Sequence, residues 1–158
     1  MCIRDSPGAY AKDRCFSIEP MALSPGRRFE WGGLELGCAK SDHPVRNSAV
    51  RIDEGKLSVC FSGDGAPTTA TRALYRGASV LVHECYAADE RVRGHATADE
   101  ILKLGDECEV ETLCLLHIAR RQKARVAEIA AAHRGPSRVL IPNPGDRLPI
   151  VQRKEPDR

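Results

Sequence analysis

With 158 residues, 42% of them hydrophobic, and 24 basic against 22 acidic side chains for a net charge of +2, the chain can bury one ordinary core and shows no polyanion-binding bias. Aromatic residues make up 4%, which argues against a base-stacking platform. No window approaches the roughly 18 apolar residues of a membrane span and no basic-then-apolar leader opens the chain, so no membrane partner is expected and the expected location is cytoplasmic. Seven cysteines without a CxxC spacing support neither a zinc ribbon nor a disulfide framework, and are expected as free, mostly buried thiols.

In chain order, residues 1–15 show no helical or strand period and are expected to be an unstructured leader that is not native to the domain. The domain is expected over 16–151. From Phe16 to Phe61 the pattern is short β segments: Phe16 to Glu19, Arg28 to Trp31, Leu34 to Cys38, Asn47 to Ile52 and Leu57 to Phe61. Pro-Gly, Gly-Gly and Glu-Gly turns punctuate them, giving an antiparallel meander. After Phe61 strands and helices alternate. Helices are predicted over about 67–76, 97–108 and 120–133, with Ala70, Ala73 and Leu74 as the apolar face of the first. Strands are predicted over about 79–83, 112–116 and 138–141, apolar enough to be buried on both faces. This is an α/β fold, a β-meander leading into βαβαβαβ with a largely parallel second half. A last short strand near Leu148 to Val151 precedes a charged tail over 152–158, expected to be disordered.

Chemistry-bearing residues recur where these strands end. Asp64 follows Leu57–Phe61 inside Ser-Gly-Asp-Gly, Glu84 with His83 ends the next strand, and His117 follows Leu113 to Leu116. His43 sits in the Ser-Asp-His-Pro loop and His95 opens His-Ala-Thr-Ala ahead of a helix. Imidazole and carboxylate together form the ligand set of borderline divalent ions, so the pattern suits a metal-assisted hydrolase. Each residue also has a plainer reading. Asp64 alone is more often a helix N-cap, His117 a half-buried histidine satisfied by backbone, and His43 a surface loop residue. Glu84 is harder to dismiss, because a carboxylate closing a buried strand needs a partner, which His95 could supply. His133 reads as a favourable charge at a helix end.

Taken together, SDHPVRNSAVRIDEGKLSVCFSGD, ASVLVHECY, GHATADE and LCLLHIAR resemble the later motifs of the metallo-β-lactamase fold hydrolases, closest to the ribonuclease Z and phosphodiesterase branch. The resemblance covers about Arg28 to Leu148. It implies part of an αββα sandwich, with His43, Asp64 and His117 as metal ligands, Asp64 bridging. It further implies His95 as proton donor to the leaving oxygen and Glu84 as the residue that orients it; His83 receives no role. The implied cofactor is a divalent metal, zinc before manganese, with two ions in the full-length form.

Two departures qualify that picture. The early His-x-His-x-Asp-His segment that supplies most ligands in this family is absent, since none of the five histidines precedes His43. The chain by itself is therefore expected to bind metal weakly and to have little or no activity. Only 21 positions separate His43 and Asp64, which leaves no room for the arm that grips tRNA in the tRNA-processing members. A small-molecule or nucleotide phosphodiester is expected as substrate, with tRNA disfavoured. Half of the sandwich would leave one sheet face uncovered, so the isolated chain is expected to self-associate, and a homo-oligomer is expected for the full-length form. The competing expectation is a non-catalytic α/β module or a decayed homologue that keeps the fold without metals.

Overall fold

The computed structural model describes residues 22–148. The expected leader, the strand Phe16 to Glu19, the last strand beyond Leu148 and the charged tail lie outside the described residues. Within them the sheet is a single seven-stranded layer in sequence order, β1 (Arg28–Trp31), β2 (Leu34–Lys40), β3 (Ser48–Glu54), β4 (Leu57–Phe61), β5 (Val80–Glu84), β6 (Thr112–Leu116) and β7 (Arg138–Leu140). The pairs from β1 to β4 are antiparallel and those from β4 to β7 parallel, the meander and the alternating half expected from the sequence. Strand ends differ from expectation by one or two residues.

The parallel half is built from three crossovers through α1 (Thr69–Tyr75), α2 (Ala98–Glu107) and α3 (Lys123–Ala132). Because the strands are laid down in monotonic order by crossovers of one hand, the helices fall on one face of the sheet. That face holds Cys60, Leu81, Leu113 and Leu115, all fully buried, against Tyr75, Ile101, Leu104 and Val126. The register puts Cys60, Leu81 and Leu113 side by side, so alternate residues point to the opposite face. There Phe61 and Leu116 are exposed and Val59 and Val82 only half-buried, while Trp31 at the edge is exposed. One apolar sheet face is thus without a helix among the described residues.

The N-termini of α1 and α2 are set by side-chain caps. Thr97 forms a capping box with Glu100, its hydroxyl accepting from Glu100 N and its own N–H donating to Glu100 Oε2 at 3.0 Å. Thr68 forms the corresponding box with Thr71 and is the N-cap of α1. Two expectations are corrected here. Pro67 stands just before the cap rather than inside the helix, and the buried residues of α1 are Thr71 and Tyr75, with Leu74 half-buried against the core as expected and Ala70 and Ala73 exposed. The small alanines gave the wrong phase because they gain little by burial, whereas a single tyrosine ring outweighs both. The third helix is preceded by a 3-10 turn at Arg120–Gln122, so the α-helical part starts at Lys123.

The five described thiols, Cys38, Cys60, Cys85, Cys108 and Cys114, are free and buried. No helix among the described residues is long and apolar enough to cross a membrane.

Candidate functional site

The carboxyl ends of β4, β5 and β6 lie side by side, and each hands on to a turn that carries a ligand-type residue. After β4 the amide of Ser62 continues the pairing by donating to Val82 O at 3.0 Å, and its buried hydroxyl accepts from Glu84 N at 2.9 Å while donating to Gly63 O at 2.7 Å. One serine therefore locks the turn bearing Asp64 to the strand bearing Glu84. Gly63 adopts φ +64, a conformation that costs a glycine little, and a Cβ there would collide with Asn47.

The loop carrying His43 is fastened to the same turn. Asp42 N donates to Ala66 O at 3.0 Å and Ala66 N to Asp42 O at 2.9 Å, an isolated antiparallel bridge. Asn47 Nδ2 donates to Ser41 Oγ at 2.5 Å and to Ser62 O at 3.3 Å. Gly94, immediately before His95, has φ +78, and a Cβ on it would strike Pro44 and come within 3.2 Å of His43 Cα. Close backbone approach at Gly94 is what allows the His43 and His95 loops to meet.

Glu84 has a side chain 1% exposed. Its Oε1 accepts from Ala96 N at 2.8 Å and its Oε2 from Tyr86 N at 3.1 Å, with His95 Nδ1 3.3 Å from Oε2. Burial pushes the Glu84 carboxyl up to about 7 against the pull of those two amides. Burial, together with the neighbouring His43, pushes the His95 imidazole down. The carboxyl is raised while the imidazole is lowered, so both shifts favour an uncharged pair over a fixed ion pair.

Asp64 and His117 form the open side of the rim. His117 Nδ1 lies 3.3 Å from Asp64 Oδ1, with side chains 38% and 44% exposed. His117 closes β6 with φ +51, one of two non-glycine residues among those described in the left-handed region. A histidine held there costs roughly 1 kcal/mol, and such strain gathers at functional sites.

All five residues singled out in the sequence therefore meet on one rim. The rings of His43 and His95 are 5.3 Å apart and those of His95 and His117 5.7 Å. Among the described residues the ligand-type cluster is Glu84, His95 and His117, each offering one atom with all of these within 4.8 Å of one another, so it shares only His117 with the expected metal set of His43, Asp64 and His117. Nitrogen and carboxylate donors at this spacing fit a divalent ion of the zinc type. The N-cap reading of Asp64 is overturned, since Thr68 caps α1.

Other residues fall elsewhere. His83 is fully buried on the helix side, its ring edge-on to Tyr75 at 5.7 Å and its Nδ1 2.7 Å from Glu84 O, and burial pushes its imidazole down to about 4. His133 caps the end of α3 with Nε2 3.3 Å from Asp106 Oδ1, away from the rim. Sequence reasoning missed Ser62, Asn47 and Tyr86. Tyr86 stacks on His95 with ring centroids 4.7 Å apart and 26° between planes, and meets His117 edge-on at 5.6 Å. Its place two residues after Glu84 was the only signal available. A groove of about 610 Å³ opens beside His117, lined also by Lys123 and Asn143. A groove of about 640 Å³ between β2, β3 and α1 touches none of the five, so chemistry rather than concavity marks the site.

Comparison with known proteins agrees with this geometry. The family model for the Beta-lactamase superfamily domain matches residues 7–118. The ribonuclease Z of Brevibacillus brevis is 40% identical over 103 residues, covering 56% of this chain and 32% of the relative. That of Shouchella clausii is 27% identical over 147 residues, covering 89% of this chain and 45% of the relative. The chain thus spans less than half the length of these relatives. The crystal structure of the metallo-beta-lactamase fold protein YhfI from Bacillus subtilis superposes with a TM-score of 0.71 at 22% identity, over 80% of this chain and 52% of that one. A match across most of the chain, on a sheet edge that gathers imidazoles and carboxylates, places the protein in the Beta-lactamase superfamily domain family, with the metallo-β-lactamase fold.

Proposed function

We propose that the chain carries the C-terminal half-site of a metal-dependent hydrolase of phosphodiester or related ester bonds. The observation that supports this best is the joining of an open Asp64–His117 pair to a buried Glu84–His95 pair on one strand-end rim. Asp64 and His117, with His43 from the adjoining loop, would hold divalent metal, zinc before manganese. When bound, that metal supplies a polarised water as nucleophile. His95, kept on Glu84 by the contact at Nδ1, delivers a proton to the departing oxygen, and the buried carboxyl takes up the opposite change in charge. With three ligands of its own, the chain binds metal loosely and turns over slowly.

A small-molecule or nucleotide phosphodiester is the favoured substrate over tRNA. Between His43 and Asp64 the chain runs through β3, the tight Gly55–Lys56 turn and β4, with no inserted arm. The free buried thiols among the described residues fit a reducing compartment such as the cytoplasm, and the apolar sheet face that no described helix covers supports self-association of the isolated chain. The test is hydrolysis of bis(p-nitrophenyl) phosphate and of a tRNA precursor by the purified chain with zinc or manganese, beside the His95→Ala variant. The proposal expects slow, metal-dependent cleavage of the small ester that His95→Ala lowers at least about 100-fold. Metal-independent cleavage would overturn the metal-dependent reading, and no cleavage with any ion would favour the non-catalytic module.

A further inference from the structure

We propose that Tyr86 is a positioning residue that holds the His95 imidazole in one plane and one ring tautomer against Glu84. The inference rests on the hydrolase reading only in concerning the same site; its readout does not require turnover.

Four contacts of one residue carry it. The Tyr86 ring lies nearly parallel on His95, 4.7 Å between centroids. Its backbone N–H donates to Glu84 Oε2, the same oxygen that faces His95 Nδ1. Its carbonyl accepts from Ala119 N at 3.1 Å, tying the segment after His117 to the same point, and its ring edge meets His117. Tyr86 thus fixes both the acceptor and the ring that faces it.

On its other side His95 meets the His43 ring edge-on, 80° between planes. An imidazole with an aromatic face on one side and a ring edge on the other has little freedom to rotate about χ2, because rotation would break the stack. Glu84 alone would not suffice. A contact of 3.3 Å is long for a hydrogen bond to a carboxylate, so a second restraint on the ring is needed to keep Nδ1, rather than the Cδ2 edge that a χ2 flip would bring there, on that oxygen. Tyr86 is half-buried, whereas the core of this domain is closed by residues on the helix face, so packing of the core does not account for its place.

The experiment compares the full metal-free chain with Tyr86→Phe, which keeps the ring, and Tyr86→Leu, which keeps bulk without it. Tyr86→Met serves beside Tyr86→Leu in case branching disturbs folding. Long-range proton–nitrogen spectra of the labelled histidines report the tautomer of His95. A single tautomer is expected in the native chain and in Tyr86→Phe, and two exchanging forms in the leucine and methionine variants. Folded leucine and methionine variants that keep the native His95 pattern would overturn the proposal, as would its loss in Tyr86→Phe. Where turnover is measurable, kcat should fall about ten-fold in Tyr86→Leu with KM changed less than about two-fold. A raised KM at constant kcat would overturn it in favour of a substrate contact. No turnover in any variant, with the tautomer still released in Tyr86→Leu, would count against the hydrolase reading and leave the role of Tyr86 standing.

Discussion

The rim contains two imidazole–carboxylate pairs with the same 3.3 Å separation and opposite surroundings. Glu84–His95 is closed off, its carboxylate held by two main-chain amides, whereas Asp64–His117 stands open to solvent on a strained backbone. Identical chemistry at identical distance is thereby given different work. The buried pair has shifted proton affinities and a fixed orientation, which suit proton transfer. The open pair keeps lone pairs available to a ligand from solvent, which suits a metal. Burial, set by which strand end each residue follows and what packs over it, makes the division.

If burial is the difference, truncation should separate the pairs. Glu84→Ala leaves two main-chain amides without their acceptor and should cost about 3 kcal/mol in urea unfolding, while Asp64→Ala should cost less than about 1 kcal/mol. Equal losses would mean that the two pairs are not energetically distinct.

Acid titration of the metal-free chain sharpens the same contrast from behind the site. His83, with its folded affinity pushed down to about 4 from 6.5, contributes stability that is present above 6.5 and lost as pH falls toward 4. Glu84, raised from 4.5 to about 7, contributes stability that is present below 4.5 and lost as pH rises through 7. Between about 4.5 and 6.5 the two slopes oppose. Removing His83 with His83→Phe should make stability fall with rising pH by about 1.4 kcal/mol per unit relative to the native chain. An unchanged pH profile would show that His83 is not held neutral in the fold.

The smallest effect concerns the open pair. Since His117 holds φ +51, His117→Gly should be more stable than His117→Ala by about 1 kcal/mol, although both lose the imidazole. Equal midpoints in thermal unfolding would remove the argument from strain.

Much of this was legible in the sequence. The apolar runs Leu57–Phe61, Ala78–Val82 and Leu113–Leu116 each lead into a chemistry-bearing residue, and in a parallel half-sheet such ends share an edge, which located Asp64, Glu84 and His117. The phase of α1 was not legible, because Thr71 serves both as capping partner of Thr68 and as buried residue, a double duty that a hydrophobic pattern does not reveal. Ser62, Asn47 and Tyr86 were missed for a related reason. Their roles rest on contacts with other loops, such as Asn47 with Ser62, 15 positions away, and Tyr86 with Ala119, 33 positions away, and hydroxyl, amide or ring alone does not announce a partner. His83 drew attention as a histidine beside Glu84, yet its place in the alternation of β5 sends it to the opposite face.

The most direct test of the account is a cobalt(II) absorbance titration of the metal-free chain, Asp64→Asn, His117→Ala and Glu84→Gln. Binding at no more than one equivalent in the native chain, weakened at least about ten-fold in Asp64→Asn and His117→Ala but kept within about three-fold in Glu84→Gln, is the predicted result. Equal loss of binding in all three variants would contradict the division of labour between the open and the buried pair.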